Sequence, residues 1–348
     1  MTTFPEARQL LLNAIGSAFP AASVEVGYHD RVIWREAFGE LPQHSKQTPT
    51  TDQTVFDLAS LTKIISTTSL VLQAVDSGVL RLEDTVGRWL KPWKQQDRKA
   101  VTIADLLSHS SGLTAHLPFF RDHVGRAEFE ESICSLPLEY SPGSKSIYSD
   151  LGFILLGFIL ESAMNAPLIT QFSRMAEQQG WDGLTFGRDI ASRDNVAPTE
   201  FDPWRGRLLV AEVHDENTWA LGGVAGHAGL VGTATAVGKF ATTILGQLRG
   251  ITLLARADSF AKFVSRTPVP GSSRALGWDT MLPTSSCGTR MSSRSIGHTG
   301  FTGTSLWIDP NADLYIVLLT NRVYPSRSND SILDVRRTFH DSIVGSLS

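Results

Sequence analysis

The sequence predicts a mixed α/β protein in which helices flank a sheet assembled from both chain ends and a mainly helical subdomain is inserted between those ends. Three observations predict it. Runs rich in β-forming residues lie near both termini, the block between them carries helical periodicity broken by Gly and Pro, and no repeat, low-complexity tract or linker isolates a further module. The boundaries that follow are residues 1–83 plus 235–348 for the sheet domain and residues 84–234 for the helical insertion.

Each element has its own signal. Residues 24–39 alternate apolar and polar side chains on either side of His29-Asp30, as a β-hairpin does. From Ser60 to Ser77 apolar residues recur at helical spacing (Ile64, Leu70, Val71, Ala74, Val75), and Gly78 suits the left-handed residue that ends a helix. Shorter helical patterns cover residues 101–107, 128–136, 151–164 and 236–248. β-Branched and aromatic runs return at 295–296, 304–308 and 314–320, the last two separated by the turn Asp309-Pro310-Asn311. A final helix, capped by Ser328-Asn329, spans about 330–344 with Ile332, Leu333, Phe339 and Ile343 as its apolar stripe.

Composition removes several classes of function. The 348 residues are 42% hydrophobic and 19% charged, ordinary for a soluble globular chain. Lys and Arg number 31 against 35 Asp and Glu, a net charge of −4, so no basic field gathers phosphates and nucleic acid is not an expected partner. The longest apolar stretch, 151–160, is broken by Gly152 and Gly157 and ends at Glu161, too short for a membrane span. The first residues show no secretory core, and the chain as given reads as cytoplasmic. Cys134 and Cys287 match no metal spacing and read as reduced, buried thiols.

Three stretches carry candidate chemistry. Ser60-Leu61-Thr62-Lys63 opens the first long helix, where residues three apart share a face and the free N–H groups favour an anion. Placement matters, because Ser259-Phe260-Ala261-Lys262 repeats the spacing elsewhere. Tyr148-Ser149-Asp150 immediately precedes an apolar helix, and alone it reads as an N-cap beside a packing tyrosine. His298-Thr299-Gly300 precedes a strand, and alone it reads as a turn.

Together these stretches resemble the active-site set of the penicillin-recognising serine hydrolases, whose related members carry Ser-x-x-Lys, Ser-Asp-Asn and Lys-Thr-Gly. The chain looks most like the class C β-lactamase-like branch, which also holds D-Ala-D-Ala carboxypeptidases, D-aminopeptidases and carboxylesterases. Further similar stretches are Leu106–Leu113, Tyr140–Gly143, Tyr148–Gly157 and Ala220–Leu230, so the resemblance spans roughly residues 20–325. It implies a β-lactamase/transpeptidase-like fold with an antiparallel sheet, and a serine hydrolase acting on a small ester, amide or peptide without cofactor or metal. Carboxylesterase or D-peptidase activity is the main expectation. β-Lactam hydrolysis and a non-catalytic penicillin-binding-like scaffold are the alternatives.

By this resemblance Ser60 is the nucleophile, and Lys63 and Tyr148 are its proton-handling partners. A free lysine is almost wholly protonated near neutrality, and Asp150 favours that state, so Lys63 is expected to lend electrostatic support while Tyr148 acts as principal acid and base. The N–H groups of Ser60 and Phe301 are expected to form the oxyanion hole. Asp150, His298, Thr299 and Gly300 are expected to hold substrate, and strand alternation adds Arg294 beside His298 as a carboxylate partner. The chain departs from the lactamase pattern twice, with Asp150 where Asn is usual and His298 where Lys is usual. Asp150 cannot donate the hydrogen bond that an amide gives to a substrate carbonyl.

Other readings are weaker. His109, His116 and His123 recur every seven residues, but Gly112 and Pro118 interrupt any helix that could align them on a metal. His214-Asp215 and His227 match no metalloprotease spacing, the glycines of 222–232 lack a phosphate-loop Lys, and Gly-x-Ser-x-Gly is absent. That glycine-rich run reads as close packing beside the cleft. The sequence carries no signal for an oligomeric state.

Overall fold

A computed structural model describes residues 4–43, 46–190 and 194–347. The chain begins with helix α1 (Pro5–Ala14) and a hairpin of β1 (Ala21–Tyr28) and β2 (Arg31–Gln43), followed by β3 (Lys46–Pro49). His29 and Asp30 both have positive φ, 48° and 59°, the two-residue turn whose twist matches the flanking strands. Next come β4 (Phe56–Asp57), a π-helical segment Lys63–Thr68 and α2 (Ser69–Asp76). The helical block holds α3 (Ile103–Leu107), α4 (Gly125–Ser135), α5 (Asp150–Met164), α6 (Leu168–Gln179) and α7 (Glu216–Ala220), with short strands β5 (Thr185–Phe186), β6 (Phe201–Asp202) and β7 (Arg207–Leu208). After β8 (Leu230–Gly232), α8 (Ala234–Leu248) and α9 (Ala257–Val264), the chain closes with β9 (Asp279–Thr280), β10 (Ile296–Thr299), β11 (Ser305–Asp309), β12 (Leu314–Thr320) and α10 (Ile332–Leu347).

The main sheet runs β3-β2-β1-β12-β11-β10-β9, and every pairing is antiparallel. The join between chain ends is β1 with β12, in the register Val24↔Leu318. Strand β12 is buried along its whole length because both faces are covered, which explains its unbroken apolar sequence. Leu314, Ile316 and Leu318 pack toward Phe4, just before α1, Leu11 of α1, and Phe339 and Ile343 of α10, whereas Tyr315, Val317 and Leu319 belong to the larger core with Phe240 and Ile244 of α8.

That larger core continues through α2 into the helical block, where α5 is buried from Leu151 to Leu160. Among the described residues no single helix is long and apolar enough to cross a membrane. The predicted elements appear with shifted ends, and two differ in detail. The first long helix contains a π-helical segment in its second turn. The last begins at Ile332, since Asn329 Oδ1 instead accepts a hydrogen bond from the N–H of Ser331 at 3.0 Å, and Leu333 is exposed rather than part of the buried stripe.

Candidate active site

Ser60 stands where β4 turns into the π-helical segment. Ala59, before it, holds φ at +45°, a left-handed conformation that a non-glycine residue adopts only when its surroundings impose it. The imposing contacts come from Asp57, whose Oδ1 accepts the Ala59 N–H at 2.8 Å and whose Oδ2 accepts the His214 N–H at 2.8 Å. Burial pushes the Asp57 carboxyl up, while the two N–H groups oppose that rise.

Lys63 follows one turn later and is completely buried. Its three ammonium protons have three acceptors: Ser60 Oγ at 3.0 Å, Asp150 Oδ1 at 2.8 Å and the His227 carbonyl at 3.0 Å. Burial disfavours its charge, but Asp150 and the Tyr148 oxygen outweigh the burial and raise its pKa above the ordinary lysine value. The His227 carbonyl reaches Lys63 because Gly226 and Gly157 let the glycine-rich loop lie directly on α5; a Cβ at Gly226 would stand 2.1 Å from the Phe153 carbonyl oxygen. The second Ser-x-x-Lys pair lies elsewhere, with Ser259 donating to Asp76 at 2.6 Å and Lys262 exposed.

Ser149 does cap α5, its Oγ accepting from the Gly152 N–H at 3.3 Å, and that cap delivers the residues on either side of it to the cleft. Asp150 meets Lys63. Burial opposes its charge, yet Lys63, His116 and His227 prevail and hold the carboxyl well below the usual carboxylate range. The Tyr148 ring lies 4.9 Å from Lys63 Nζ, between the rings of His109 and His298 at 4.6 and 5.7 Å, with the Arg274 guanidinium 5.1 Å from its centre. Burial pushes the phenol up and Asp150 adds to the rise, while Lys63 and Ser60 pull it down; the balance is a raised pKa. At neutral pH the resting site therefore holds a neutral Tyr148 beside an ammonium Lys63, and the pair becomes a base only on losing one of its protons.

The third stretch is pinned to the first. Thr302 Oγ1 donates to the Asp57 carbonyl at 2.7 Å and Thr304 Oγ1 to the Leu58 carbonyl at 3.0 Å. The approach is so close that a Cβ at Gly300 would stand 2.6 Å from the Leu58 carbonyl oxygen. This sets Ser60 and Phe301 on the walls of the same two cavities, and among the described residues neither backbone N–H is engaged in a hydrogen bond. His298 Nδ1 is 2.7 Å from the Thr299 carbonyl, and its buried Nε2 has no partner. Burial, with Arg274 and Lys63 nearby, lowers the His298 pKa well below the ordinary value, so this residue is neutral.

Two cavities meet at Ser60. The first, of about 270 Å³, is lined by Arg274, His298, Thr299, Arg322 and Arg336. The second, of about 330 Å³, is lined by His116, Asp150, Asp215, Glu216 and His227. Phe301, 48% exposed, borders both and packs under the Arg322 guanidinium at 4.3 Å.

A beta-lactamase family model matches residues 9–338. The chain belongs to the beta-lactamase family. It is a serine hydrolase of that family. A provisionally named D-alanyl-D-alanine carboxypeptidase of Escherichia coli (strain K12) is 29% identical to it, over 87% of this chain and 79% of that protein. The provisionally named D-alanyl-D-alanine carboxypeptidase of Salmonella typhimurium (strain LT2) is likewise 29% identical, over 92% of this chain and 83% of its own length. Among solved structures, EstCE1, described as a hydrolase with promiscuous acyltransferase activity, superposes with a TM-score of 0.77 at 22% identity, covering 97% of each chain. A class C beta-lactamase from Rhodobacter sphaeroides gives 0.76 at 19% identity, covering 98% of this chain and 99% of its own. These two likenesses are of fold.

Within this beta-lactamase-family chain the structure brings Ser60, Lys63, Tyr148, Asp150, His298, Thr299, Gly300 and Phe301 together. It does not bring Arg294 with them. Arg294 lies in an exposed turn before β10 begins and lines a separate surface cavity with Arg266 and Ser295, because strand alternation does not extend back through that turn. The cations beside Ser60 are instead Arg274, Arg322 and Arg336, which no motif marked. His116, Asp215 and His227 were visible only as scattered histidines and an acid; their shared cavity is a product of the fold.

Proposed function

We propose that this chain cleaves an ester or amide through an acyl-enzyme on Ser60, with substrates of the D-peptidase kind that carry a carboxylate near the scissile bond. The observation that carries the reading is the Ser60 Oγ to Lys63 Nζ contact of 3.0 Å at the junction of two open cavities. The names of the bacterial relatives support the peptidase choice. So does the first cavity, where Arg274 and Arg336 supply positive charge beside Thr299.

In this reading the Lys63–Tyr148 pair, having lost one proton, accepts the Ser60 proton as Oγ attacks the carbonyl carbon. The N–H groups of Ser60 and Phe301 receive the oxyanion, each lowering the barrier by about 2.7–4 kcal/mol. The same pair then returns a proton to the departing amine or alcohol. Asp150 keeps Lys63 oriented, and neutral His298 with Thr299 lines the side where the leaving group sits. A carboxylesterase is the second reading, favoured by the absence of a cation at His298. β-Lactam hydrolysis fits less well, since the Asp150 carboxylate is committed to Lys63 and has no proton to donate to a lactam side chain.

The test is a panel of a D-Ala-D-Ala peptide, p-nitrophenyl butyrate and a chromogenic cephalosporin, assayed on the native protein, Ser60→Ala and Arg274→Met. Turnover of peptide and ester lost in Ser60→Ala, with Arg274→Met raising KM for the peptide alone, supports the peptidase. Ester turnover alone selects the esterase. Hydrolysis surviving in Ser60→Ala overturns both.

A further inference from the structure

The motifs provide for acylation but not for the water that must then release the acyl group. The second cavity offers three imidazoles beside Ser60. His214 is buried with Nε2 on Glu200 at 2.9 Å, and His227 is buried with Nε2 on Asp215 at 2.8 Å. His116 is different: its ring is 45% exposed and its Nδ1 stands 3.8 Å from Asp150 Oδ2. Its Nδ1 is turned to Asp150, while Nε2 makes no hydrogen bond to protein among the described residues and is left for water.

We propose that His116, aligned by Asp150, is the general base that activates water to hydrolyse the Ser60 acyl-enzyme. The proposal rests on the acyl-enzyme reading above and assigns its second half. Asp150 presents one oxygen to each base: Oδ1 lies 2.8 Å from Lys63 Nζ, and Oδ2 faces His116. A single carboxylate thus orients the groups of both half-reactions from opposite sides.

The step balances. A water O–H gives its proton to the free nitrogen of His116 while the oxygen bonds to the acyl carbon. The tetrahedral intermediate collapses as the C–Oγ bond breaks, Lys63 donates a proton to Ser60 Oγ, and the proton on His116 returns to Lys63 through Asp150. The products are a carboxylic acid and free serine.

Protonation chemistry agrees with the geometry. Pairing with Asp150 raises the His116 pKa, partial burial opposes it, and the charges of Asp150, Asp215 and Glu216 add to the rise. His214, His227, Tyr148 and Arg327 are the other titratable groups on that cavity wall. The shift is upward, so the neutral imidazole that can accept a proton from water gains population as pH rises. The Lys63–Tyr148 pair gives up a proton only at higher pH, so the two half-reactions should titrate separately.

The experiment uses His116→Gln in the full chain, p-nitrophenyl butyrate, stopped-flow detection and intact-mass analysis. The burst of p-nitrophenolate should keep its rate constant within about threefold, while acyl-enzyme decay slows by about 10²- to 10⁴-fold, the range for loss of a general base. A butyryl adduct should then accumulate on Ser60, the lower-pH limb of the decay profile should vanish, and hydroxylamine, which needs no base, should clear the adduct. An equal fall in burst and decay, or decay at the native rate with its pH limb intact, overturns the proposal. No adduct on Ser60 in either protein, with hydrolysis persisting in Ser60→Ala, would instead overturn the acyl-enzyme reading beneath it.

Discussion

Lys63 Nζ lies 2.8 Å from Asp150 Oδ1, and the lysine is wholly buried. The carboxylate keeps the lysine charged against its burial and also opposes ionisation of Tyr148. Asp150→Asn removes both effects. The pH at which burst-phase acylation reaches half its plateau should therefore fall, because Lys63 and Tyr148 both lose protons more readily without the neighbouring negative charge. The same variant gains an amide donor, and acylation by the cephalosporin should rise. A profile left in place would show that Asp150 does not set the proton affinity of the pair.

Tyr148→Phe and Lys63→Ala separate the two partners. With Tyr148 as principal proton carrier, Tyr148→Phe should lower the burst rate constant by about 10²- to 10⁴-fold. Its melting temperature should stay near the native value, since only a hydroxyl is lost. Lys63→Ala should lose acylation and also stability, by about 3–5 kcal/mol, because it strands the Asp150 charge. Near-native acylation in Tyr148→Phe would reverse the roles.

Glu200 ties His214 and Arg327 to the wall of the second cavity, at 2.9 and 2.7 Å. Burial pushes its carboxyl up, but those two partners outweigh burial and hold it at about 2, below the ordinary 4.5. A depressed folded-state pKa means stability that is present above pH 4.5 and lost as pH falls toward 2. Glu200→Gln should therefore melt lower than the native protein at pH 7, by about 3 kcal/mol, with the gap closing at acid pH. A gap independent of pH would rule out the ion-pair account.

Gly226→Ala tests the loop that carries the His227 carbonyl. Its Cβ would press on a backbone oxygen 2.1 Å away, with no flexible side chain to yield. Overpacking of this kind costs about 1–3 kcal/mol, and the displaced carbonyl should lower acylation through Lys63. Native stability and activity together would show that α5 and the loop can separate freely.

Much of the site was legible because its parts are local. Ser60 and Lys63 meet through helix geometry, Tyr148 precedes a capped helix, and His298-Thr299-Gly300 ends a strand. The hairpin at His29-Asp30 was legible from alternation alone. Residues supplied by irregular backbone were not. Arg294 was misplaced because β10 starts two residues later than the alternation assumed, whereas Arg274, Arg322 and Arg336 reach the first cavity from three unrelated segments. His116 shows the limit most clearly. Its partner Asp150 is 34 positions away, and only packing of α5 brings the two side chains together. The π-helical turn at Lys63–Thr68 likewise left no mark in periodicity, since its extra residue per turn is accommodated by tertiary contacts such as Thr67 Oγ1 donating to the Gly226 carbonyl at 2.6 Å.

The pairing of β1 with β12 also bears on how this polypeptide is made. While a ribosome is still translating the helical block, β1 and β2 have emerged with the backbone N–H and C=O groups of one β1 edge unpaired. Their neighbour β12 is made only after the whole helical block, so the nascent hairpin must wait for it with its edge open to chaperones or to other unfinished copies. A chain cut short before Leu314 would be no weakened enzyme, only a sheet without its middle.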